Sequence, residues 1–211
     1  MITNEKKDFL KNLYYKNAEI PKRYMEEISL NPKTEEDLKS FNRLKIEREN
    51  IDEFTKNGKN LLICSPVSGT GKTTWATKIL KQYINNRCEE WKLANNGCPG
   101  LFVDMYNLFF LKKSSFNNYE TRTKVYDFEK KIRTASLVVF DDICLSGLSD
   151  FENSYISDLI NYRISNNLSC IFTSNQTREK AEKFLGVRLT DRIYGTSEVI
   201  NFTDESSNRH V

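Results

Sequence analysis

Four short runs of apolar residues stand out from residue 60 onwards, and amphipathic stretches separate them. The runs lie at 61–64, 101–103, 137–140 and 169–173. Runs of this length that are apolar almost throughout are typical of strands buried on both faces of a sheet. Because they alternate with stretches of helical spacing, the pattern predicts an α/β fold with a parallel sheet flanked by helices.

The helices are predicted from apolar residues that recur every three or four positions. Predicted helices cover 4–15, 35–54, a stretch that includes 75–83, 120–134 and the residues after 149. Thr34 is placed to cap the second of these helices, and Ser149 with Glu152 forms a capping-box sequence at the start of the last.

Composition narrows the class of protein. At 211 residues and 38% hydrophobic content, the chain fits one folded domain. No apolar run approaches the roughly 20 residues of a membrane span, and 1–11 lacks the apolar core of a secretion signal, so no membrane partner is expected. Five scattered cysteines without a CxxC pair favour reduced thiols in the cytoplasm over zinc ligands. The formal charge of +3 permits a basic patch without establishing a nucleic-acid partner.

A glycine-rich loop after the first apolar run matches most of the phosphate-binding pattern G-x-x-x-x-G-K-[ST]. Gly71, Lys72 and Thr73 match, whereas Pro66 stands where the first glycine is expected. Backbone N–H groups and the following helix N-terminus favour phosphate, Lys72 reaches the β- and γ-phosphates, and the Thr73 hydroxyl is placed for Mg²⁺. A glycine turn with an incidental lysine is the alternative. The candidate ATP-binding residues are Pro66, Val67, Ser68, Gly69, Thr70, Gly71, Lys72, Thr73 and Thr74.

Two acidic residues follow the most apolar run. Asp141 and Asp142 would lie at the carboxyl edge of a parallel sheet, where ligands bind. Asp141 is the candidate Mg²⁺ ligand through its water shell, and Asp142 is the candidate general base that orients the attacking water. Two solvated acids at a strand end are the alternative. An Asp in the second position, where Glu is common in ATPases, leaves the rate of hydrolysis open.

A polar segment, 173–175, ends the next apolar run. If that strand lies between the other two, the Asn175 amide can hydrogen-bond the γ-phosphate or the attacking water. Asn175 is therefore a second candidate catalytic residue of this edge, after Asp142. Its alternative role is a helix cap, because Ser and Asn are common caps and a helical pattern follows.

An ordered set of segments resembles one known family. The segments are 60–64 (NLLIC), 69–73 (GTGKT), 137–143 (LVVFDDI), 160–163 (INYR), 173–175 (TSN) and 188–192 (RLTDR). Together they resemble the DnaC/DnaI-type helicase loaders, which are AAA+ ATPases close to the DnaA initiators and the IstB transposition helpers. The match covers roughly 18–211, and 20–24 resembles the family segment that lies near the adenine.

The resemblance implies an AAA+ core, a P-loop NTPase with a five-stranded parallel sheet. It implies that Asn175 is the sensor 1 residue and that Arg192 is the arginine finger, which reaches into the ATP site of a neighbouring subunit. Arg188 competes for that role, and an ordinary surface salt bridge is the alternative for either arginine. Arg209, near the end of the chain, weakly resembles a sensor 2 arginine.

The resemblance also bears on how the chain is divided. Residues 1–18 are expected to form a short N-terminal helical extension where bacterial loaders carry a larger helicase-binding domain, and 19–211 to form the AAA+ ATPase domain. Little sequence follows Arg192, so no separate helical lid domain is expected.

Aromatic and basic residues interleave after the second apolar run. Stacking combined with phosphate neutralisation is how single-stranded DNA is held without sequence preference. The alternative is a core-facing aromatic face with solvated lysines, and Phe109 and Phe110 suit the core best. The members are Phe109, Phe110, Lys112, Lys113, Phe116, Tyr119, Arg122 and Lys124.

The leading hypothesis is a cytoplasmic ATPase that loads a DnaB-type replicative helicase onto single-stranded DNA, as a homo-oligomer with ATP at its subunit interfaces. An IstB-like transposition helper is one alternative. A nucleotide-gated binding module with little hydrolysis is another. A small-molecule P-loop kinase would need a phosphoacceptor pocket and an arginine-bearing lid, and the motifs at Asn175 and Arg192 speak against it.

Overall fold

A computed structural model describes residues 4–87 and 99–203 and contains a five-stranded, all-parallel sheet. The strands are β1 (Asn60–Cys64), β2 (Gly100–Asp104), β3 (Leu137–Asp141), β4 (Ser169–Ser174) and β5 (Ser197–Asn201). Their spatial order is β2-β3-β4-β1-β5. The predicted α/β fold with a five-stranded parallel sheet flanked by helices is therefore confirmed, and β4 lies between β1 and β3.

Helices cover both faces of the sheet. Within the described ranges they are α1 (Asn4–Asn17), α2 (Glu35–Glu49), α3 (Ile51–Lys56), α4 (Lys72–Arg87), α5 (Met105–Ser114), α6 (Tyr119–Thr134), α7 (Asp150–Ser165), α8 (Arg178–Leu185) and α9 (Val187–Thr196), with a short 3-10 helix at Lys22–Tyr24. None of them is long and apolar enough to cross a membrane.

Alternate residues of the strands pack into two separate hydrophobic cores, one on each face of the sheet. On one face, Leu61, Ile63 and Val139 pack in a cluster with residues of α1, α2, α3 and α4. On the other, Leu62 and Val138 pack with residues of α5 to α9. Strands that are buried on both faces are apolar at most positions, which is why the continuous apolar runs predicted β1 to β4.

The fifth strand was not located from the sequence. Residues Ser197–Asn201 pair with β1 at the edge of the sheet, and only Ile200 among them is buried. The carboxylate of Glu198, in the middle of this strand, instead accepts two hydrogen bonds from the Arg43 guanidinium of α2. An edge strand that is half exposed has no continuous apolar run, so the pattern that located the other four strands is missing here.

The predicted helix over 35–54 is in fact two helices, α2 and α3. They meet at Asn50, whose φ of −101° and ψ of 22° lie outside the helical region. Its side-chain amide donates to the Ile46 carbonyl, so Asn50 competes with the backbone and ends α2. The predicted cap is confirmed, because the Asp37 N–H donates to Thr34 Oγ1 at 3.0 Å. The predicted capping box of Ser149 and Glu152 is also present.

Helix α1 packs against α4 as part of the first core. Tyr14 and Tyr15 are buried there, and the Phe102 N–H of edge strand β2 donates to the Ala18 carbonyl at 2.7 Å. The expected division of the chain at residue 18 stays a prediction, but the helix that precedes it lies on the body of the domain.

A fully buried arginine, Arg163 of α7, joins α6 to β4. Its guanidinium donates to the carbonyl oxygens of Ile132 (2.6 Å), Ala135 (2.7 Å) and Ser169 (2.7 Å). The first two carbonyls belong to the C-terminal end of α6, where the helix dipole is negative. Within the described part of the chain, backbone carbonyl groups rather than a carboxylate thus stabilise the buried positive charge of Arg163.

Candidate nucleotide site

The glycine-rich loop crosses the carboxyl edge of the sheet between β1 and α4. Gly69 and Gly71 adopt φ values of 82° and 100°, which residues with a side chain rarely adopt. Lys72, the first residue of α4, is buried, and its ammonium donates to the carbonyl oxygens of Val67 (2.9 Å) and Ser65 (3.3 Å). The Lys72 ammonium is therefore surrounded by the backbone of the glycine-rich loop, and the residue itself stands at the N-terminus of α4.

One carboxylate oxygen connects the loop to β3 and β4. Asp141 Oδ1 accepts hydrogen bonds from Thr73 Oγ1 at 2.8 Å and from Thr173 Oγ1 at 2.7 Å. Burial raises the pKa of Asp141 to about 6, although the two hydroxyl donors oppose this rise. A hydroxyl and a carboxylate side by side are oxygen ligands of the kind that Mg²⁺ prefers. Thr73 and Asp141 therefore fit the cation that the fold implies, and they would hold it.

Asp142 follows directly and turns away from the strand. Its φ is 57°, in the left-handed region, and its N–H donates to Thr173 Oγ1 at 2.9 Å. The Thr173 hydroxyl thus fixes both acids, since it accepts from the backbone of one and donates to the side chain of the other. No role for Thr173 was predicted from the sequence, although Thr173 lies in the same polar strand end as Asn175.

Asn175 comes immediately after β4. Because β4 lies between β1 and β3, its side chain reaches the same cavity as the loop and the acids. The N-cap residue of α8 is Thr177, so the helix-cap alternative for Asn175 is not realised.

A cavity of about 240 Å³ brings most of the predicted residues together, whereas Pro66, Val67 and Thr70 of the loop do not line it. One wall is formed by residues of the glycine-rich loop, of the strand ends that follow β3 and β4, and of α4: Ser68, Gly69, Gly71, Lys72, Thr73, Thr74, Asp141, Asp142 and Asn175. The other wall consists of Arg23, Tyr24, Ile28 and Leu30. No individual roles were predicted for these four residues from the sequence. Burial raises the pKa of the Tyr24 hydroxyl in this wall.

The candidate arginine fingers lie apart from this cavity. Both belong to α9, where Arg188 is exposed and Arg192 Nη2 donates to Ser165 Oγ at 2.6 Å. Neither lines the cavity of its own chain. Their roles stay predictions, and Arg209 lies outside the described residues.

The aromatic and basic stretch spans α5 and α6. Phe109 is buried as expected, but Phe110 is 61% exposed, so its predicted place in the core is wrong. Phe116 and Tyr119 are exposed as well. Lys112 pairs with Glu129, and Lys113 pairs with Glu152, each within the surface of the domain. The exposed aromatic rings are therefore available for stacking, whereas two of the lysines already have acidic partners.

A scan against models of protein families and a search of curated proteins each found no match. Solved structures do match. The crystal structure of the DnaC helicase loader has a TM-score of 0.67 at 23% identity, over 87% of this chain and 100% of that one. DnaI follows at 0.64 and 20%, over 87% and 95%.

A third match is the replication initiator DnaA bound to AMPPCP and single-stranded DNA. Its TM-score is 0.58 at 14% identity, and the match covers 82% of this chain and 51% of that one. These likenesses concern the fold, and they confirm at that level the resemblance seen in the sequence. The chain has the AAA+ fold that the DnaC and DnaI helicase loaders share with DnaA.

Proposed function

We propose that this chain binds ATP with Mg²⁺ in the cavity and hydrolyses it, and that it acts in the cytoplasm as a loader of a DnaB-type replicative helicase onto single-stranded DNA. The observation that carries the proposal is the convergence of the loop lysine, the two strand-end acids and Asn175 on one cavity. These side chains come from three different strand ends, and binding and hydrolysis of a nucleoside triphosphate need all of them.

Each side chain has a chemical task in this proposal. The Lys72 ammonium neutralises charge on the β- and γ-phosphates. Thr73 and Asp141 would hold Mg²⁺, which supplies charge stabilisation on the phosphate oxygens when bound. Asp142 accepts the proton of the attacking water, and the Asn175 amide orients that water or the γ-phosphate. None of these tasks requires a residue outside the wall described above.

The proposed partners rest on the likeness of the fold. The DnaC and DnaI helicase loaders match with TM-scores of 0.67 and 0.64, against 0.58 for the DnaA initiator. A loader is therefore favoured over an initiator. The DNA partner is supported by the exposed rings of Phe110, Phe116 and Tyr119, since base stacking on aromatic side chains tolerates any sequence.

The partner is tested by capture from extract of the source cell. The wild-type chain with ATP should retain a replicative helicase, whereas the Lys72→Ala variant should not, because it lacks the charge that holds the phosphates. Mass spectrometry of the retained proteins is the measurement. Retention of a transposase would support an IstB-like helper instead, and equal retention of a helicase by both chains would contradict nucleotide control.

The proposed oligomer has ATP at its subunit interfaces. Arg192→Ala should leave ATP affinity unchanged but remove the part of the turnover that rises with protein concentration, because a guanidinium from the neighbour stabilises the transferring phosphoryl group. The loss should be about a thousandfold in a fully assembled site. Steady-state hydrolysis over a range of protein concentrations measures it.

Arg188→Ala is the matched control, since it removes the same charge one turn earlier in α9. If Arg188→Ala removes the concentration-dependent turnover and Arg192→Ala does not, the finger is Arg188. If neither variant changes it, the interface does not use an arginine of α9.

A further inference from the structure

One wall of the cavity is a segment with little regular structure of its own. We call Lys22–Leu30 the strap. Arg23, Tyr24, Ile28 and Leu30 line the cavity from this side, and Leu30 lies against the glycine-rich loop. A Cβ atom built on Gly71 would be only 2.8 Å from Leu30 Cδ1. After the short 3-10 helix, the strap continues as a turn and an extended stretch without sheet pairing.

A single lysine of α4 holds three successive carbonyls of the strap. Lys81 Nζ donates to the carbonyl oxygens of Tyr24 (3.1 Å), Met25 (3.0 Å) and Glu26 (3.2 Å). An ammonium group has three N–H donors, so the strap can occupy all of them. Burial lowers the pKa of Lys81, which agrees with an ammonium enclosed by protein rather than by water.

Lys81 also contacts α1. Its ammonium lies 5.7 Å from the centre of the Tyr15 ring, and the Tyr15 hydroxyl donates to Asn85 Oδ1 at 2.7 Å. The side chain therefore lies where α1, α4 and the strap meet. It is more than two turns along α4 from Lys72, or about 13 Å at the rise of an α-helix. At that separation Lys81 does not reach phosphates bound at the N-terminus of α4.

We propose that Lys81 is a positioning residue that sets the affinity of this chain for ATP by holding the strap over the glycine-rich loop. Carbonyls that have lost this donor are free to turn towards water, and the strap would then sample positions away from the loop. Ligand binding would have to order the strap again, which weakens affinity. The inference rests on the proposed ATP site and adds a determinant of affinity that does not touch the nucleotide.

The test is binding of Mg²⁺–ATP by the Lys81→Met variant, measured by calorimetry together with KM and kcat. We expect Kd and KM to rise about tenfold, because hydrogen bonds from a charged group to the strap are lost. The kcat at saturating ATP should be unchanged, since the bound nucleotide orders the strap. Hydrogen exchange in 24–30 should speed up in the absence of nucleotide.

Two further variants separate this role from loss of charge or of packing. Lys78→Met removes a partly buried lysine one turn earlier in α4, which lies over the Trp75 ring. Lys78 shares with Lys81 the electrostatic attraction of Glu27 but, in the described part of the chain, donates no hydrogen bond to the strap. Lys78→Met should bind ATP like the wild type. Lys81→Arg keeps donors for the carbonyls and should restore most of the affinity. Should Lys81→Met fold poorly, Lys81→Gln can replace it, because its amide keeps a donor for the strap. The Kd of Lys81→Gln for ATP should then lie between that of Lys81→Arg and the tenfold rise expected when all the hydrogen bonds to the strap are lost.

The outcomes distinguish this inference from the proposed function. If the wild type binds ATP and Lys72→Ala does not, the site stands. Unchanged Kd in Lys81→Met would then overturn the role of Lys81 alone, as would an equal loss in Lys78→Met or a fall in kcat at unchanged KM. If the wild type does not bind ATP, the proposed function fails, and this inference fails with it.

Discussion

Asp142→Asn should lower the rate of ATP hydrolysis about a hundredfold, because it removes the group that accepts the proton of the attacking water. Affinity for Mg²⁺–ATP should not change, since Lys72, Thr73 and Asp141, the side chains that the proposal assigns to the phosphates and the metal, are all retained. Calorimetric binding and steady-state release of phosphate, measured on the same preparation, separate the two effects.

The backbone makes this substitution a clean one. Asp142 has a φ of 57°, and Asn is among the few residues with a side chain that adopt this left-handed conformation readily. The hydrogen bond from its N–H to Thr173 Oγ1 can therefore persist. A lower rate of ATP hydrolysis in Asp142→Asn would then be due to the missing carboxylate and not to a displacement of the strand end.

Asp104→Asn is the matched control. Asp104 also ends a strand at the carboxyl edge, but it does not line the cavity. Its side chain caps α5 by accepting from the Asn107 N–H, and an Asn can keep this cap. If both variants hydrolyse ATP like the wild type, the proposed catalytic role of Asp142 is wrong. If all three chains also release almost no phosphate, the chain is a nucleotide-gated binding module.

Arg163→Met should lower the free energy of unfolding by about 3 kcal/mol, because several buried carbonyls lose their donor at once. Methionine matches the aliphatic part of the arginine side chain, so the change removes the guanidinium and keeps the packing of that part. Denaturant unfolding followed by circular dichroism measures the difference. Since Arg163 lies away from the cavity, the folded fraction should still bind ATP.

Arg133→Met provides the comparison for this stability effect. Arg133 lies on α6, and its guanidinium pairs with the exposed carboxylate of Asp158. An ion pair at the surface contributes less than about 1 kcal/mol, so this variant should be close to the wild type. Equal and small losses in the two variants would mean that water replaces the guanidinium at the end of α6.

Four of the five strands, β1 to β4, and the position of the phosphate loop could be predicted from the sequence alone. Strands that are covered on both faces are apolar at most positions, so β1 to β4 are visible as runs. The backbone at Gly69 and Gly71 has positive φ angles that favour glycine, and both glycines can be read directly from the sequence of the loop. The ordered polar strand ends Asp141, Asp142 and Asn175 followed from the same reasoning, because carboxyl ends of parallel strands meet at one edge.

Features that depend on partners far away in the sequence could be recognised only in the folded protein. The edge strand β5 is polar because it is half exposed, and Thr173 gains its position between the acids only once β4 lies beside β3. The burial of Arg163 depends on carbonyls of α6 and β4, and Lys81 finds the strap across more than fifty residues of sequence. The local sequence pattern reflects the burial and backbone angles that a residue has within its own helix or strand. It does not show which side chain of another helix or strand will pack against that residue.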